Sequence, residues 1–316
     1  MTGKKIHIEQ RAPKLLIVPL NAVETQVFAL GENNRIIAPK PCTIWSESHK
    51  NIVKKTLEYA SLLDLDKGYF VIAGVYHFGH TLADTLGPLF HFITKERGDN
   101  KTKALMFNTN HSIKIMTRLL GVEQGLKHFY SSSPVLLRSR KGFQLIDGNE
   151  GINNLEHGYR LALAAYVGRK LDGYCHVSET LQSCKGKKIF LSSRRHSRIA
   201  NLDEIVKTLK DSGWEYVDPI ENTLIQVLAK IRYAKTLVSE NGSILFNAFL
   251  SRETSYRVLC SERCLNVHQE DKHEYSGFRY NSIHAGLMQY HACRSIAHST
   301  KHPFADIIYV NSSEFL

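Results

Sequence analysis

Two segments of the chain place anion-binding groups directly after a short apolar run. The first follows the apolar residues 189–191 and reads Ser192, Ser193, Arg194, Arg195, His196, Ser197 and Arg198. An arginine side chain presents a planar fork of N–H donors that matches two oxygens of a phosphate group. We therefore expect this strand-exit loop to bind a diphosphate; an ordinary basic surface loop is the alternative.

The second segment follows the apolar residues 236–239 and reads Glu240, Asn241, Gly242 and Ser243. A helix that begins here would offer free N–H groups and the positive end of its dipole to an anion. Glycine permits close approach to the backbone, Ser243 adds a hydroxyl, and Glu240 could instead hold a pair of sugar hydroxyls. The segment is neither a P-loop nor a dinucleotide-binding glycine motif. A simple Asn–Gly turn is the alternative.

A third segment pairs a histidine with a carboxylate. His80 and Asp84 are four residues apart, so they project from the same face of a helix that begins near Gly79. Their position, shortly after the apolar run 69–73, suits an acid/base pair in an active site. The alternative is a solvated or core histidine beside an aspartate on the helix surface.

Apolar runs and helical patterns alternate along the chain and must position these segments. We predict strands at 15–20, 69–73, 104–107, 144–146, 189–192, 214–217, 236–239 and 256–259. We predict helices at 49–63, 111–120, 154–171, 203–212, 223–234 and 244–250. This alternation predicts an α/β fold with parallel sheets, as two Rossmann-like domains facing a cleft. We place the N-terminal domain at 1–165 and the C-terminal domain at 166–316, and leave the segment from Glu262 onward unassigned.

Composition limits the class of protein. The 316 residues are 43% hydrophobic and 22% charged, which is typical of a soluble globular chain with a full core. No apolar run reaches the roughly 18 residues that a membrane helix needs. The first nine residues lack the apolar segment of a secretory signal, which favours a cytoplasmic location.

The formal net charge of +11 indicates an anionic partner: nucleic acid, an anionic membrane surface or a phosphorylated substrate. Nucleic acid is disfavoured, because the basic residues are dispersed and no recognition motif is present. The six cysteines show no zinc-ligand spacing, so we predict structural or free thiols, no metal site and no cofactor.

Taken in order, these segments resemble glycosyltransferase family 61. The family's N-terminal signature, aromatic-x-His-x-x-x-Asp-x-Leu-x-x-Leu, is matched by Phe78, His80, Asp84, Leu86 and Leu89. Its C-terminal signature is matched by residues 191–195, by the Gly-Trp-Glu-Tyr-Val-Asp-Pro stretch at 213–219, and by residues 239–243 with Asn247. The resemblance covers about 186–260 and, more weakly, 76–90. One departure is that Asn241 stands where the family has histidine.

The resemblance implies a GT-B-type inverting transferase that takes its sugar from a nucleotide-sugar donor without an obligatory metal. It implies Asp84 as the base, with His80 orienting it or taking its place. Donor contacts would come from Ser193, Arg194, Arg195, Glu240, Asn241, Gly242, Ser243 and Asn247. An amide at position 241 donates a hydrogen bond but carries no charge, so this departure affects donor choice or activity.

Three functions stay open at this point. The first is transfer of a sugar to a glycan or lipid-linked acceptor during synthesis of a cell-surface polysaccharide. The second is a scaffold that keeps the fold without catalysis, and the third is a sugar-phosphate or glycerol-phosphate transferase. Peripheral association with the inner face of a membrane is a hypothesis that follows from the basic charge.

Overall fold

A computed structural model gives the structure of the protein, which forms two compact units, Met1–Glu156 and His157–Leu316. The residues that the structure describes are 9–20, 25–39, 47–73, 85–96, 103–107, 111–146, 157–174, 186–242, 244, 250, 255–270, 288–300 and 305–314.

The first unit is built on one eight-stranded sheet. Its strands are β1 (Glu9–Pro19), β2 (Thr25–Leu30), β3 (Ile36–Pro39), β4 (Ser61–Leu65), β5 (Tyr69–Ala73), β6 (Lys103–Phe107), β7 (Leu126–His128) and β8 (Val135–Ile146). Its described helices are α1 (Glu47–Leu57), α2 (Leu86–His91), which continues as a π-helix over Phe92–Glu96, and α3 (His111–Leu120). A single 3-10 turn covers Glu123–Gly125.

This sheet is mixed, whereas the sequence predicted a parallel one. The strand order is β3-β2-β1-β8-β5-β6-β7, and β4 also pairs with β8. Pairs β2–β3, β1–β2 and β1–β8 are antiparallel, while β4 and β5 pair with β8, and β6 with β5 and β7, in parallel. The reason is visible between β2 and β3, where a tight turn with Asn34 at φ 60 is far too short for the crossover that parallel strands need.

Strand β1 buries both of its faces. Leu15 and Ile17 belong to one core cluster with residues of β5, β6 and β8. Leu16 and Val18 belong to a second cluster, which Val53 of α1 completes. Because side chains alternate along a strand, these two sets lie on opposite faces of the sheet.

The second unit contains a six-stranded sheet. Its strands are β9 (Lys188–Leu191), β10 (Trp214–Val217), β11 (Thr236–Glu240), β12 (Ser255–Ser261), β13 (Met288–Ala297) and β14 (Ile307–Tyr309). Its described helices are α4 (His157–Asp172), α5 (Leu202–Asp211), α6 (Leu224–Tyr233) and α7 (Glu262–Glu270), with a 3-10 turn at Ser312–Glu314. The whole chain is therefore an α/β protein with two mixed sheets.

Strand order in the second sheet is β10-β9-β11-β12-β13-β14, and every neighbouring pair is parallel except β13–β14. Helix α5 packs on one face with Phe190 and Val238, and α6 packs on the other face with Ile189 and Leu237. The chain thus leaves β9 toward one edge of the sheet and later returns to its other side at β11. Such a reversal of strand order is the usual ligand-binding point of an open α/β sheet.

Local sequence signals explain the ends of the helices in this unit. Thr223 caps α6, and its hydroxyl and the side chain of Gln226 form a reciprocal capping box. Gly213, at φ 79, adopts the left-handed conformation that separates α5 from β10. Helix α4 is joined to α6 by a bidentate ion pair between Asp172 and the buried Arg232.

One predicted helix differs from the structure, and one unassigned segment proves to be structured. The helix predicted at 49–63 ends at Leu57, and residues 61–65 form the edge strand β4 instead. The unassigned segment after position 262 contributes α7, β13 and β14. Within the described ranges, no helix combines the length and the apolar character required to cross a membrane.

Candidate functional site

The carboxyl ends of β9 and β11 lie side by side in the second unit. The two strands pair in parallel, with Leu191 opposite Ser239. The segment that follows β9 therefore meets the end of β11 at the point where strand order reverses. The sequence predicted an anion-binding segment at each of these two strand ends. The structure places the described residues of the two segments side by side.

Glu240 joins the two segments. One carboxylate oxygen accepts a hydrogen bond from Ser192 Oγ at 2.6 Å. The other accepts from the backbone N–H of Arg198 at 2.7 Å and from Ser197 Oγ at 3.3 Å. Burial raises the pKa of Glu240 above its ordinary value, although these hydrogen bonds and the charge of Arg198 oppose the rise. The carboxylate is 6% exposed and fixes the loop after β9.

Arg198 is the arginine that reaches the end of β11. Its Nη1 donates to the backbone carbonyl of Asn241 at 3.2 Å. A Cβ atom added to Gly242 would lie 3.5 Å from the same nitrogen, and Gly242 has a φ of 138 that other residues rarely adopt. The absence of a side chain at Gly242 leaves open backbone beside a guanidinium group, which is a suitable surface for an anion.

Arg194 and Arg195 precede Arg198 in the loop after β9 and are exposed. The Arg194 backbone N–H donates to Asp218 at 2.9 Å, and its guanidinium group lies 3.4 Å from Asp203 and over the ring of Tyr216. Ser193 is half-buried, and its hydroxyl has no partner within the described structure. The guanidinium groups of Arg194 and Arg198 thus contact different parts of the structure.

Asn241 is 5% exposed and lines a small cavity. Its backbone N–H donates to Leu259 O at 2.8 Å, and its Nδ2 donates to Cys264 Sγ at 2.8 Å. Its Oδ1 has no partner among the residues that the structure describes. The cavity beside it has a volume of about 10 Å³, which is room for about one water molecule or hydroxyl group.

A buried carboxylate lies on another wall of this cavity. Asp306 accepts hydrogen bonds from Ser261 Oγ at 2.9 Å and from the Ser299 N–H at 2.8 Å, and Arg263 lies 3.5 Å away. Burial alone would raise the pKa of Asp306, but these donors and the charge of Arg263 outweigh it and lower the pKa. Ser261 also accepts from the Cys264 N–H, so the same network holds the partner of Asn241.

Ile308 and Val310 form hydrogen bonds with the end of the loop after β9. Ile308 pairs with Ile199 in a parallel bridge, accepts from the Ala200 N–H and donates to Arg198 O, both at 2.9 Å. Asn201 adds a reciprocal pair with the backbone of Val310, at 2.9 and 3.1 Å. The backbone around Arg198 is thus held by Glu240 on one side and by β14 on the other.

Sequence reasoning singled out Arg194 and Arg195 and left Arg198 outside its chosen donor-binding set. It also missed Ser197, Ser261, Cys264 and Asp306. Ser261 ends a third parallel strand, so its position after an apolar run was a usable signal. Nothing in the sequence pattern pointed to Asp306, because its neighbours have no clear periodicity.

Four predicted site residues lie outside the described residues: His80, Asp84, Ser243 and Asn247. The acid/base pair and the end of the second segment therefore remain predictions. The described ranges contain no group of three or more His, Cys, Asp and Glu side chains that could hold a metal ion. Among the described residues, Cys260, Cys264 and Cys293 are buried and form no disulfide.

Comparison with known proteins adds one match. The model of the family described as Glycosyltransferase 61 matches residues 78–259, which is more than half of the chain and includes both strand-exit segments. A search of curated proteins found no significant match.

Proposed function

The chain belongs to the glycosyltransferase 61 family, and on this premise we propose that it is an inverting glycosyltransferase. It would move a hexosyl or pentosyl group from a nucleotide-sugar donor to a glycan or lipid-linked acceptor. We further propose a GT-B-type arrangement, in which the second unit binds the donor and the first unit provides the acceptor side.

The observation that carries the proposal is the Arg198–Gly242 surface at the strand-order reversal of the second sheet. A nucleoside diphosphate leaves with negative charge when its bond to the sugar breaks, and a positioned guanidinium group stabilises that charge. Arg198 is preorganised for this role because Glu240 holds its backbone and the Asn241 carbonyl orients its Nη1. Arg194 and Arg195 add positive charge along the same loop. A metal ion is not required in this scheme.

Inversion needs a base that deprotonates the acceptor hydroxyl as the anomeric carbon acquires oxocarbenium character. We assign this role to Asp84, with His80 orienting it or replacing it, on the strength of the family resemblance alone. Both residues belong to the part of the chain that the family model matches.

Asn241 makes this donor site unlike that of a protein with histidine at the same place. One N–H of its amide donates to Cys264, and its Oδ1 has no partner among the described residues, so that oxygen can accept from a ligand. We propose that Asn241 Oδ1 accepts a hydrogen bond from a hydroxyl or N–H of the donor, with Ser193, Ser243 and Asn247 as further polar contacts.

The biological setting that we propose is synthesis of a cell-surface polysaccharide such as a capsule. The protein would act in the cytoplasm, at or near the inner face of the membrane. The net charge of +11 supports attraction to anionic lipid or to an anionic acceptor.

The deciding experiment is a panel of UDP-, GDP- and CMP-sugars, with hydrolysis and binding measured for the full chain. We expect one donor to bind and Arg198→Gln to raise the Kd for that donor and for its free nucleoside diphosphate by roughly 10- to 100-fold. Lys210→Gln, an exposed change in α5 of the same unit, should leave both values unchanged.

The alternatives predict different results in the same panel. Binding without turnover, unaffected by Asp84→Ala or His80→Ala, would favour a scaffold. Binding of CDP-alcohols in place of nucleotide-sugars would favour a sugar-phosphate or glycerol-phosphate transferase. Failure of every nucleotide to bind would overturn the donor site itself.

A further inference from the structure

A second pocket lies in the first unit, between the β2–β3 turn and helix α1. Its volume is about 470 Å³, within the range of roughly 300–1,000 Å³ that is usual for small-molecule sites. It is lined by Asn34, Arg35, Ile36, Lys50, Val53, Lys54 and Leu57. None of these residues belongs to the proposed donor site.

The rim of this pocket is cationic. Arg35, Lys50 and Lys54 are all exposed, and no acidic residue lines the pocket. Within the described part of the chain, neither Arg35 nor Lys54 forms an ion pair. Lys50 and Lys54 are four residues apart on α1, so their charges repel on one helix face, and an anion between them would relieve that repulsion.

The turn that carries Arg35 is fixed. Its ends are joined by the Gly31 N–H bond to Arg35 O at 2.8 Å. Lys14 Nζ donates to Glu32 O at 2.6 Å and to Asn34 Oδ1 at 3.0 Å, which adds a fourth positive charge behind the rim. The backbone at Arg35 is thus fixed beside the pocket before any ligand arrives.

The floor of the pocket is apolar. Val53 is 4% exposed and belongs to the core cluster of Leu16, Val18, Phe28 and Leu30. Ile36 and Leu57 pack against the same cluster but are only partly buried. Their remaining surface is therefore an uncovered margin of the core, and covering it with a hydrocarbon chain is favourable.

We infer that this pocket binds one phosphate-bearing lipid. The phosphate would lie among Arg35, Lys50 and Lys54, and the first carbons of the chain would cover Ile36, Val53 and Leu57. A free inorganic anion would leave the apolar floor exposed, and a neutral hydrocarbon would leave Arg35 and Lys54 without an anion. This pocket shares no residue with the proposed donor site, so lipid binding can be tested separately from donor binding.

Calorimetric titration of the full chain with octyl phosphate, below its micelle concentration, tests this site. We expect saturable binding of one molecule, at least about tenfold tighter than binding of inorganic phosphate or of octanol, since head and chain are recognised together. Lys54→Gln should weaken octyl phosphate about fivefold or more. Lys55→Gln is the matched control, because Lys55 is exposed on the same helix but does not line the pocket.

Two results would overturn the site. One is octyl phosphate binding no tighter than inorganic phosphate. The other is an equal effect of Lys54→Gln and Lys55→Gln, which would indicate diffuse surface charge. Flotation with vesicles that contain phosphatidic acid tests whether the same pocket binds this lipid in a membrane. We expect Lys54→Gln to reduce flotation more than Lys55→Gln, and equal reductions would again contradict a built site.

Discussion

Removing the Glu240 carboxylate is the most direct perturbation of the proposed donor site. Glu240→Ala deprives Ser192 Oγ, Ser197 Oγ and the Arg198 N–H of their acceptor. The two hydroxyls can rotate toward other acceptors, but the backbone N–H of Arg198 cannot. We therefore expect the loop after β9 to lose its fixed position even though the strands remain intact.

The magnitude follows from the three contacts. A hydrogen bond to a charged group contributes about 1.5–3 kcal/mol, and an unsatisfied buried donor costs about 1–3 kcal/mol. Loss of the carboxylate also removes the cost of burying its charge, which offsets part of the loss. The net expectation is a decrease of about 2–4 kcal/mol in the free energy of unfolding. Glu240→Gln keeps the volume and one acceptor, and should lose about 1 kcal/mol.

Two measurements check this expectation. Urea unfolding followed by circular dichroism gives the loss of stability, and hydrogen exchange of peptides that contain Arg198 gives the local effect. Each 1.4 kcal/mol of lost local stability speeds exchange about tenfold. Glu221→Ala, an exposed change in the same unit, should shift stability by less than about 0.5 kcal/mol. Wild-type stability and wild-type exchange in Glu240→Ala would refute the role of this carboxylate.

The remaining predictions concern the second unit. Because burial raises the pKa of Glu240, the native state holds that proton more tightly, and the contribution of Glu240 to wild-type stability falls as pH rises through the interval above 4.5. Glu240→Gln lacks this fall. The difference in unfolding free energy between wild type and Glu240→Gln, measured with urea, should therefore become smaller from about pH 4 to about pH 8. A difference that stays constant over this range would contradict the raised pKa. Gly242→Ala should cost about 1–3 kcal/mol and weaken nucleotide binding, whereas Gly213→Ala should cost about 1 kcal/mol and leave binding unchanged. Equal effects on binding would argue against the site. Gly168→Ala should lower stability by about 1–2 kcal/mol despite the helix preference of alanine, because the new Cβ would overlap Arg232; a rise in the urea midpoint would contradict this overlap.

Residues 186–242 of the second unit were largely predictable from sequence because the elements there are short and bounded by turn signals. Strand β10 begins at Trp214 and ends at Val217 as predicted, and α6 starts at the cap that Thr223 supplies. The first unit was harder. Strand β4 is exposed, so its sequence continued the helical pattern of α1, and pairing with β8 rather than local preference makes it a strand.

Prediction of the proposed donor site was limited because the direction of a side chain cannot be read from the sequence. Sequence identified both strand-exit segments, but not which arginine would turn toward β11. That choice depends on Glu240, whose partner Arg198 lies 42 residues away in the chain. Asp306 lies farther still from the loop that its network supports, and no local pattern reports such a contact.

The hydrogen bonds that Ile308 and Val310 form with residues 198–201 have a consequence for synthesis of the protein. A chain leaves the ribosome from its N-terminus, so β9, β11 and Glu240 can fold well before residues 305–310 are made. Until then Ile199, Ala200 and Asn201 lack the partners that fix the Arg198 backbone. We therefore expect the proposed anion site of a nascent chain to stay incomplete until synthesis has passed Val310.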